Sequence, residues 1–345
     1  MISQVSQLDD FCDMIRSNYG SPEAISPGDL AGVFVSHSGL SSSPSFMELH
    51  SVLHRYGVAE ITAADLSAGK MKGHHYSYKE QDYTVMYEKD LWMGSIEHVM
   101  LHELYEIISE RSEKWCPGYR RLPVPQICYK ANRFAAAALM QPGIFLQALF
   151  DTGFDAVQLH HRFGRAYSSV AIRAVDVLNT RNKELSPDEQ IDLMITIYER
   201  REQGEPNEWG FCTPGKFEVK YFLRTKGIKL GTKGGDWLQG GRVSGPNYRA
   251  PRYPYHLLAK SGDAVASKSV VHDVISTVKC HYVERVTGFD LWGLNDLAFT
   301  AQPVQWYGKL AKVILVGVRY KDRELLGPQL NTLCPIRIQQ SYQAI

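Results

Sequence analysis

Residues 94–110 predict a helix that carries polar side chains at the spacing of metal ligands. Its apolar residues recur at helical spacing and form one stripe: Ile96, Met100, Leu104 and Ile107. Between them lies the sequence His102-Glu103-Leu104-Tyr105-Glu106. Because residues four apart lie one above the other on a helix, His102 and Glu106 can reach the same cation.

The chemistry of these side chains suits zinc. Imidazole nitrogen and carboxylate oxygen are common zinc ligands, and Glu103 beside His102 can act as the general base toward a metal-bound water. His98 lies one turn earlier and is a further candidate ligand. The alternative is an ordinary amphipathic helix whose polar residues face solvent. The pattern H-E-x-x-E fixes only three residues, so it also occurs by chance in helices without a metal.

Other patterns predict the elements around this helix. Residues 45–58 predict a helix with Ser45 as its N-cap. Residues 74–90 are rich in tyrosine and β-branched residues, which favours a hairpin or a pair of short strands. Residues 126–142 form an alanine-rich run that predicts a second long helix.

The character of the chain changes after residue 204. Just before it, a serine followed by proline predicts the start of a helix over 184–203. Short β-like runs and glycine-rich turns follow over 216–320, with a buried strand expected at 312–320. We therefore expect an α+β protein with a domain boundary near residue 205.

Composition excludes few classes of function. The net charge of +1 gives no overall indication of a nucleic-acid or membrane partner. The N-terminus lacks the basic start and apolar run of a signal peptide, and no stretch approaches 18 apolar residues. The six cysteines are scattered, which is typical of free thiols. We expect a cytoplasmic protein without a membrane partner.

Three patterns in this order resemble the ImmA/IrrE family of metallopeptidases. In that family an extended segment precedes a helix with H-E-x-x-H, and a second helix carries an alanine-asparagine pattern similar to 131–142. The matching residues there are Ala131, Asn132, Phe134, Ala135, Ala136, Leu139, Met140 and Pro142. Residues 159–178 resemble the helical segment that follows the metal site in the family. The resemblance covers residues 45–180.

The resemblance implies a layout and an activity. It implies a mainly helical, zincin-like peptidase domain with a small sheet and a helical extension over 1–183. A helix and linker over 184–204 and a mixed α/β, GAF-like sensor domain over 205–345 would follow. Such a protein would bind one zinc ion per chain. It would cleave a helix-turn-helix transcriptional repressor in a stress or phage-related response.

Two positions depart from the family pattern. Glu106 stands where the family has its second histidine, and Cys128 falls at or near the third ligand, a glutamate. A first shell of His102, Glu106 and Cys128 can still bind zinc, but two anionic ligands reduce the Lewis acidity of the metal. A peptidase, a structural metal site and a non-catalytic regulator with a degenerate site therefore remain alternatives. In a structural metal site Cys128 would be a ligand. In a degenerate site it would be only a small buried residue.

Histidine pairs are further candidate ligands. Adjacent residues of a strand point to opposite faces, so at most one of His74 and His75 can face a metal site. Likewise, we expect at most one of His160 and His161 to face a metal site. The alternative for both pairs is ordinary surface histidine.

A basic segment with interleaved aromatic residues is a candidate site for single-stranded nucleic acid or an anionic effector. It lies between residues 216 and 252, and its named candidates are Lys226, Lys229, Lys233 and Arg242. The alternative is a solvated basic face beside a glycine-rich loop.

Overall fold

A computed structural model describes residues 7–66, 68, 71–79, 82–115, 122–203, 213–228, 265, 270–283, 297–333 and 336–338. The helices are α1 Gln7–Tyr19, α2 Pro27–Ser38, α3 Phe46–Arg55, α4 Met93–Trp115, α5 Val124–Leu139, α6 Pro142–Asp151, α7 Ala156–Phe163, α8 Tyr167–Asn182, α9 Val270–Thr277 and α10 Gly327–Leu333. The strands are β1 Val58–Ala64, β2 Gly73–Lys79, β3 Asp82–Glu88, β4 Leu193–Gln203, β5 Thr213–Arg224, β6 His281–Val283, β7 Leu297–Trp306, β8 Lys309–Arg319 and β9 Ile336–Ile338. A 3-10 helix covers Tyr320–Leu326. The fold is α+β, as the sequence predicts.

The chain divides into two compact units. The first contains residues 1–145 and 160–173, and the second contains 146–159 and 174–345. The first unit holds α1 to α5 and a three-stranded sheet of order β1-β3-β2. The predicted hairpin is confirmed, since β2 and β3 pair antiparallel, with His75 opposite Val85. Strand β2 lies at one edge of this sheet.

An aromatic core joins the helices of the first unit. Phe134 of α5 lies 5.5 Å from Phe34 of α2 and 5.6 Å from Tyr105 of α4, measured between ring centroids. All three rings are fully buried. The predicted apolar stripe of α4 is buried as well, with Ile96 7% exposed and Met100, Leu104 and Ile107 at 0%. Burial of this stripe turns the polar residues of α4 toward β2 and α5.

The helix predicted over 45–58 is confirmed as α3. Ser45 is its N-cap, and the Ser45 hydroxyl accepts a hydrogen bond from the backbone N–H of Glu48 at 3.2 Å. The Glu48 carboxylate binds the backbone and hydroxyl of Ser41 instead of completing a reciprocal capping box.

The second unit is built on a six-stranded sheet of order β5-β4-β8-β7-β6-β9. Neighbouring strands pair antiparallel except β6 and β9, which are parallel. Helix α9 buries Val270, Val271 and Val274 in a cluster with one face of the sheet. The buried strand predicted at 312–320 is confirmed as β8.

The helix predicted over 184–203 is wrong, because residues 193–203 form strand β4. The serine-proline start signal closes a turn instead: the Ser186 hydroxyl donates to the Glu189 carboxylate at 2.6 Å. The run from Leu193 to Tyr198 is buried throughout, so both faces of β4 are covered, and β5 and β8 pair with its two edges. Helical and buried-strand runs of this length look alike in sequence. The second unit thus includes β4, ahead of the boundary expected near residue 205.

Candidate metal centre

Packing of α4 against α5 brings together the three predicted ligands. The His102 Nε2 lies 3.1 Å from Glu106 Oε1, and the Cys128 Sγ lies 3.5 Å from the same oxygen. One donor atom from each of these residues lies within 4.8 Å of the other two. His102 and Glu106 meet because they are four residues apart on α4, and Cys128 faces them from α5.

The two separations that involve Glu106 are close to those expected for donor atoms on one zinc ion. Tetrahedral zinc, with bonds of about 2.0–2.3 Å to nitrogen, oxygen and sulfur, places its donor atoms about 3.4–3.6 Å apart. The two measured distances differ from this range by a few tenths of an ångström or less. A nitrogen, an oxygen and a sulfur donor form a set that zinc accepts. The residues present therefore fit the metal that the sequence predicts.

Asn132 of α5 connects the histidines of α4. Its side-chain oxygen lies 3.3 Å from His102 Nδ1 and 3.0 Å from His98 Nε2, and its amide nitrogen donates to the Cys128 carbonyl at 2.8 Å. A hydrogen bond from Nδ1 fixes the tautomer of His102 and leaves Nε2 for a cation. Asn132 thus orients one ligand and ties it to the helix turn that bears another.

His98 belongs to this hydrogen-bond network. Its second ring nitrogen, Nδ1, lies 3.1 Å from the Ser169 hydroxyl. Burial lowers the pKa of His98 to about 4, with a smaller effect from the charge of His102. In the part of the chain that the structure describes, the donor groups at this centre contain His102 but not His98. We place His98 as a support for Asn132.

Strand β2 supplies a histidine that faces α4 beside this centre. The His75 Nδ1 lies 2.7 Å from Glu103 Oε2, and its Nε2 lies 3.4 Å from Glu110 Oε2. Burial lowers the pKa of His75, but the hydrogen bond to Glu103 and the charges of Glu103, Glu106 and Glu110 outweigh it and raise the pKa overall. His74, its neighbour, is exposed. The pair is divided between the two faces of the strand, as the sequence predicts.

Glu106 and Cys128 influence each other's protonation. Burial raises the pKa of the Glu106 carboxyl, but hydrogen bonds and charge from His102 outweigh it and lower the pKa overall. Burial and the nearby Glu106 charge raise the pKa of the Cys128 thiol to about 11. Without a cation, the thiol therefore stays protonated and Glu106 accepts its hydrogen bond. A bound cation would reverse this preference, because it favours the thiolate.

Close approach of β2 to α4 depends on a glycine. A Cβ added at Gly73 would lie 2.3 Å from Val99 Cγ1 and 2.8 Å from Glu103 Oε1. A larger residue at position 73 would force the strand or these two side chains to shift. The absence of a side chain there lets His75 reach Glu103.

The other candidate residues lie elsewhere or outside the described residues. The His160 Nδ1 lies 2.6 Å from the Arg165 carbonyl oxygen, its ring stacks on Tyr167, and His161 is exposed. Lys226 is exposed in the turn after β5, and its backbone N–H donates to Asn179 at 2.9 Å. Lys229, Lys233 and Arg242 fall outside the residues that the structure describes.

Sequence reasoning did not assign a role at the site to two residues. Asn132 belongs to the second-helix pattern, which gives it no contact with the ligands, and Glu110 lies outside the pattern of His102 to Glu106. Glu110 lies seven residues after Glu103, so helical spacing alone places both on one face of α4. That spacing was the available signal for Glu110.

Comparison with solved structures finds chains of similar fold, and one of them is a bacterial regulator. A Mycobacterium tuberculosis transcriptional regulator aligns over 93% of this chain and 84% of its own, with 13% identity and a TM-score of 0.50. At this identity the likeness concerns the fold alone. The chain matches no family model and no curated protein.

Among the described residues, no single helix is long and apolar enough to cross a bilayer, and only the bent pair of α5 and α6 has the required length and composition when taken together.

Proposed function

We propose that this protein is a metal-dependent regulator with a zincin-like centre of the ImmA/IrrE type and endopeptidase activity toward a transcriptional repressor. The meeting of His102, Glu106 and Cys128 from two helices carries the proposal. The resemblance of the α4 and α5 patterns to the family adds to it. The fold that the chain shares with a transcriptional regulator is compatible with a regulatory role.

His102, Glu106 and Cys128 would hold one zinc ion. When bound, zinc polarises the scissile carbonyl and acidifies water. Asn132 holds the His102 ring with Nε2 toward Glu106. Glu103, next to His102, accepts the proton of the attacking water as general base, while His75 keeps its carboxylate in place through the 2.7 Å hydrogen bond.

The edge of the first sheet offers a place for an extended substrate. Strand β2 is an edge strand and carries His75 against Glu103. An extended peptide that pairs with β2 would run beside the proposed metal centre, with backbone hydrogen bonds supplying affinity. A helix-turn-helix repressor with an extended linker is the partner class that we propose.

A second candidate is a non-catalytic regulator of the same fold. Two anionic ligands weaken the Lewis acidity of a metal, and the Glu103 carboxylate already has a close partner in His75. In this case the metal is structural, and the second unit acts as a GAF-like sensor. Its effector would be single-stranded DNA or an anionic molecule bound near Lys226, Lys229, Lys233 and Arg242.

Zinc content tests both candidates, and cleavage of the repressor separates them. We expect one zinc per chain in the purified protein, lost in His102→Ala, Glu106→Ala and Cys128→Ser. Cys280→Ser is the matched control, because Cys280 is a free cysteine of the second unit and should leave the zinc content unchanged. Absence of zinc after reconstitution contradicts both metal-dependent candidates.

Glu103→Gln tests catalysis. The amide keeps the size of the side chain but cannot accept the proton, so the variant should retain the zinc and lose cleavage of a repressor encoded beside this protein. Undiminished cleavage would exclude Glu103 as the base. Zinc retention with no cleavage by the wild type favours the non-catalytic candidate.

Binding of single-stranded DNA tests the effector proposal. We expect the full chain to bind an oligonucleotide with an affinity that falls steeply with salt, and Lys226→Glu to weaken it. No binding at low salt would reject this part of the proposal.

A further inference from the structure

A second group of metal-binding side chains lies where β2 crosses α4. Glu103, Glu106 and Glu110 are spaced by three and four residues and share one face of the helix. His75 faces them from β2, within hydrogen-bond distance of Glu103 and 3.4 Å from Glu110. One donor atom each from His75, Glu103 and Glu106 lies within 4.8 Å of the other two.

The charges of this group call for a cation. The side chains of His75 and Glu103 are only 9% and 8% exposed. The carboxylates of Glu103, Glu106 and Glu110 lie near His75; Glu106 also contacts His102 at 3.1 Å, and the ammonium of Lys114, 3.1 Å from Glu110, is 47% exposed. Buried carboxylates need compensation by a partner or a metal ion. A protonated His75 supplies one positive charge, whereas a divalent cation supplies two.

We propose that His75, Glu103 and Glu106 form a second divalent-cation site that shares Glu106 with the site of His102 and Cys128. A carboxylate has two oxygens and can bridge two metals, which lie about 3.5–4 Å apart in two-metal sites. The hydrogen-bonded 2.7 Å distance between His75 Nδ1 and Glu103 Oε2 has to widen by about 0.7 Å to suit donors of one tetrahedral ion.

The two sites differ in chemistry. The first contains a thiol, whereas the second has only nitrogen and oxygen donors and is the harder site. Manganese and cobalt suit its nitrogen and oxygen donors, whereas zinc prefers the site with the thiol. A cation there occupies the Glu103 carboxylate, so excess metal would inhibit cleavage; this consequence rests on the proposed function, while the site itself does not.

Titration of the metal-free full chain with Co²⁺ distinguishes the sites. A cobalt–thiolate bond gives an ultraviolet charge-transfer band, so the site with Cys128 is visible and the second site adds no such band. Equilibrium dialysis gives the total number of cobalt ions bound per chain. We expect two cobalt ions per chain in the wild type, with the band complete after one equivalent if the sulfur site is filled first.

Variants assign the second ion. His75→Ala and the isosteric Glu103→Gln should bind one ion and keep the band. His74→Ala, the exposed neighbour on the other face of β2, should bind two. Thermal unfolding shows whether each variant is folded. If His75→Ala does not fold, Glu103→Gln alone carries the test.

The outcomes separate this inference from the proposed function. One ion with the band in the wild type, and in both variants, overturns the second site and leaves the first. One ion without the band, lost in Glu103→Gln and kept in Cys128→Ser, supports the second site and overturns the first. No bound ion overturns both.

Discussion

Asn132 illustrates how a single uncharged side chain organises the proposed centre. Its oxygen accepts from His102 and His98, and its nitrogen donates to the Cys128 carbonyl. Partners that orient metal ligands contribute to affinity without touching the metal. The asparagine therefore belongs to the site although no metal ligand pattern contains it.

Replacing Asn132 with alanine should weaken zinc binding about 10–100-fold, because His102 loses the partner that fixes its ring. Competition with a chromogenic chelator measures the change. Asn179→Ala is the control: Asn179 accepts a backbone hydrogen bond in the second unit, so the zinc affinity should stay as in the wild type. Equal affinities for Asn132→Ala and wild type would remove Asn132 from the centre.

The ion pair of Glu97 and Arg165 fixes the helix that bears the candidate ligands. Both side chains are 6% exposed, and Arg165 also donates to the Pro44 carbonyl at 3.0 Å. Glu97→Ala leaves a buried guanidinium without its counter-charge and should reduce the free energy of unfolding by about 3–5 kcal/mol.

Urea denaturation measures this loss. The control is Asp13→Ala, which removes the exposed pair with Arg16 and should cost about 1 kcal/mol or less. A loss of similar size in both variants would contradict the role assigned to the buried pair.

Elements were predictable from sequence where one local pattern decided the outcome. The apolar stripe of α4, the alanine-rich run of α5 and the tyrosine-rich hairpin of β2 and β3 each gave the correct element. Strand β4 was not predictable in this way. Its residues are buried by neighbours on both sides of the sheet, and pairing with β5 and β8 is a long-range property.

The site was predictable to the same extent. Spacing on one helix places His102 beside Glu106, whereas the approach of Cys128 depended on the family resemblance. The contact of His75 with Glu103 depends on how β2 crosses α4, which local spacing does not determine.

At the level of elements, the approach of β2 to α4 predicts a penalty for Gly73→Ala. The added methyl would overlap Val99 and Glu103, so the variant should lose about 1–3 kcal/mol of unfolding free energy. Gly143→Ala is the control, since a Cβ there meets nothing within 4 Å and lies in helix α6. Its stability should stay equal or rise by up to about 1 kcal/mol. If neither Gly73→Ala nor Gly143→Ala lowered the unfolding free energy, the strand would not be held against the helix.

For the molecule as a whole, a metal held between α4 and α5 at the proposed centre should stabilise the folded first unit. A ligand that binds only the folded state stabilises it, by about 2.7 kcal/mol at a hundred times its dissociation constant. We expect saturating zinc to raise the unfolding temperature of the wild type and of Cys280→Ser. Cys128→Ser and His102→Ala should show a much smaller rise. Equal rises of the unfolding temperature in all four proteins would show that zinc binds outside the centre of His102, Glu106 and Cys128.

X-ray absorption at the zinc edge of the purified, zinc-loaded protein tests the central claim most directly, because it reports the atoms bound to the metal. With one zinc per chain, we predict one sulfur at about 2.3 Å and nitrogen or oxygen ligands at about 2.0–2.2 Å, with the sulfur lost in Cys128→Ser. Zinc surrounded by nitrogen and oxygen alone, with a spectrum unchanged by Cys128→Ser, would contradict the centre formed by His102, Glu106 and Cys128.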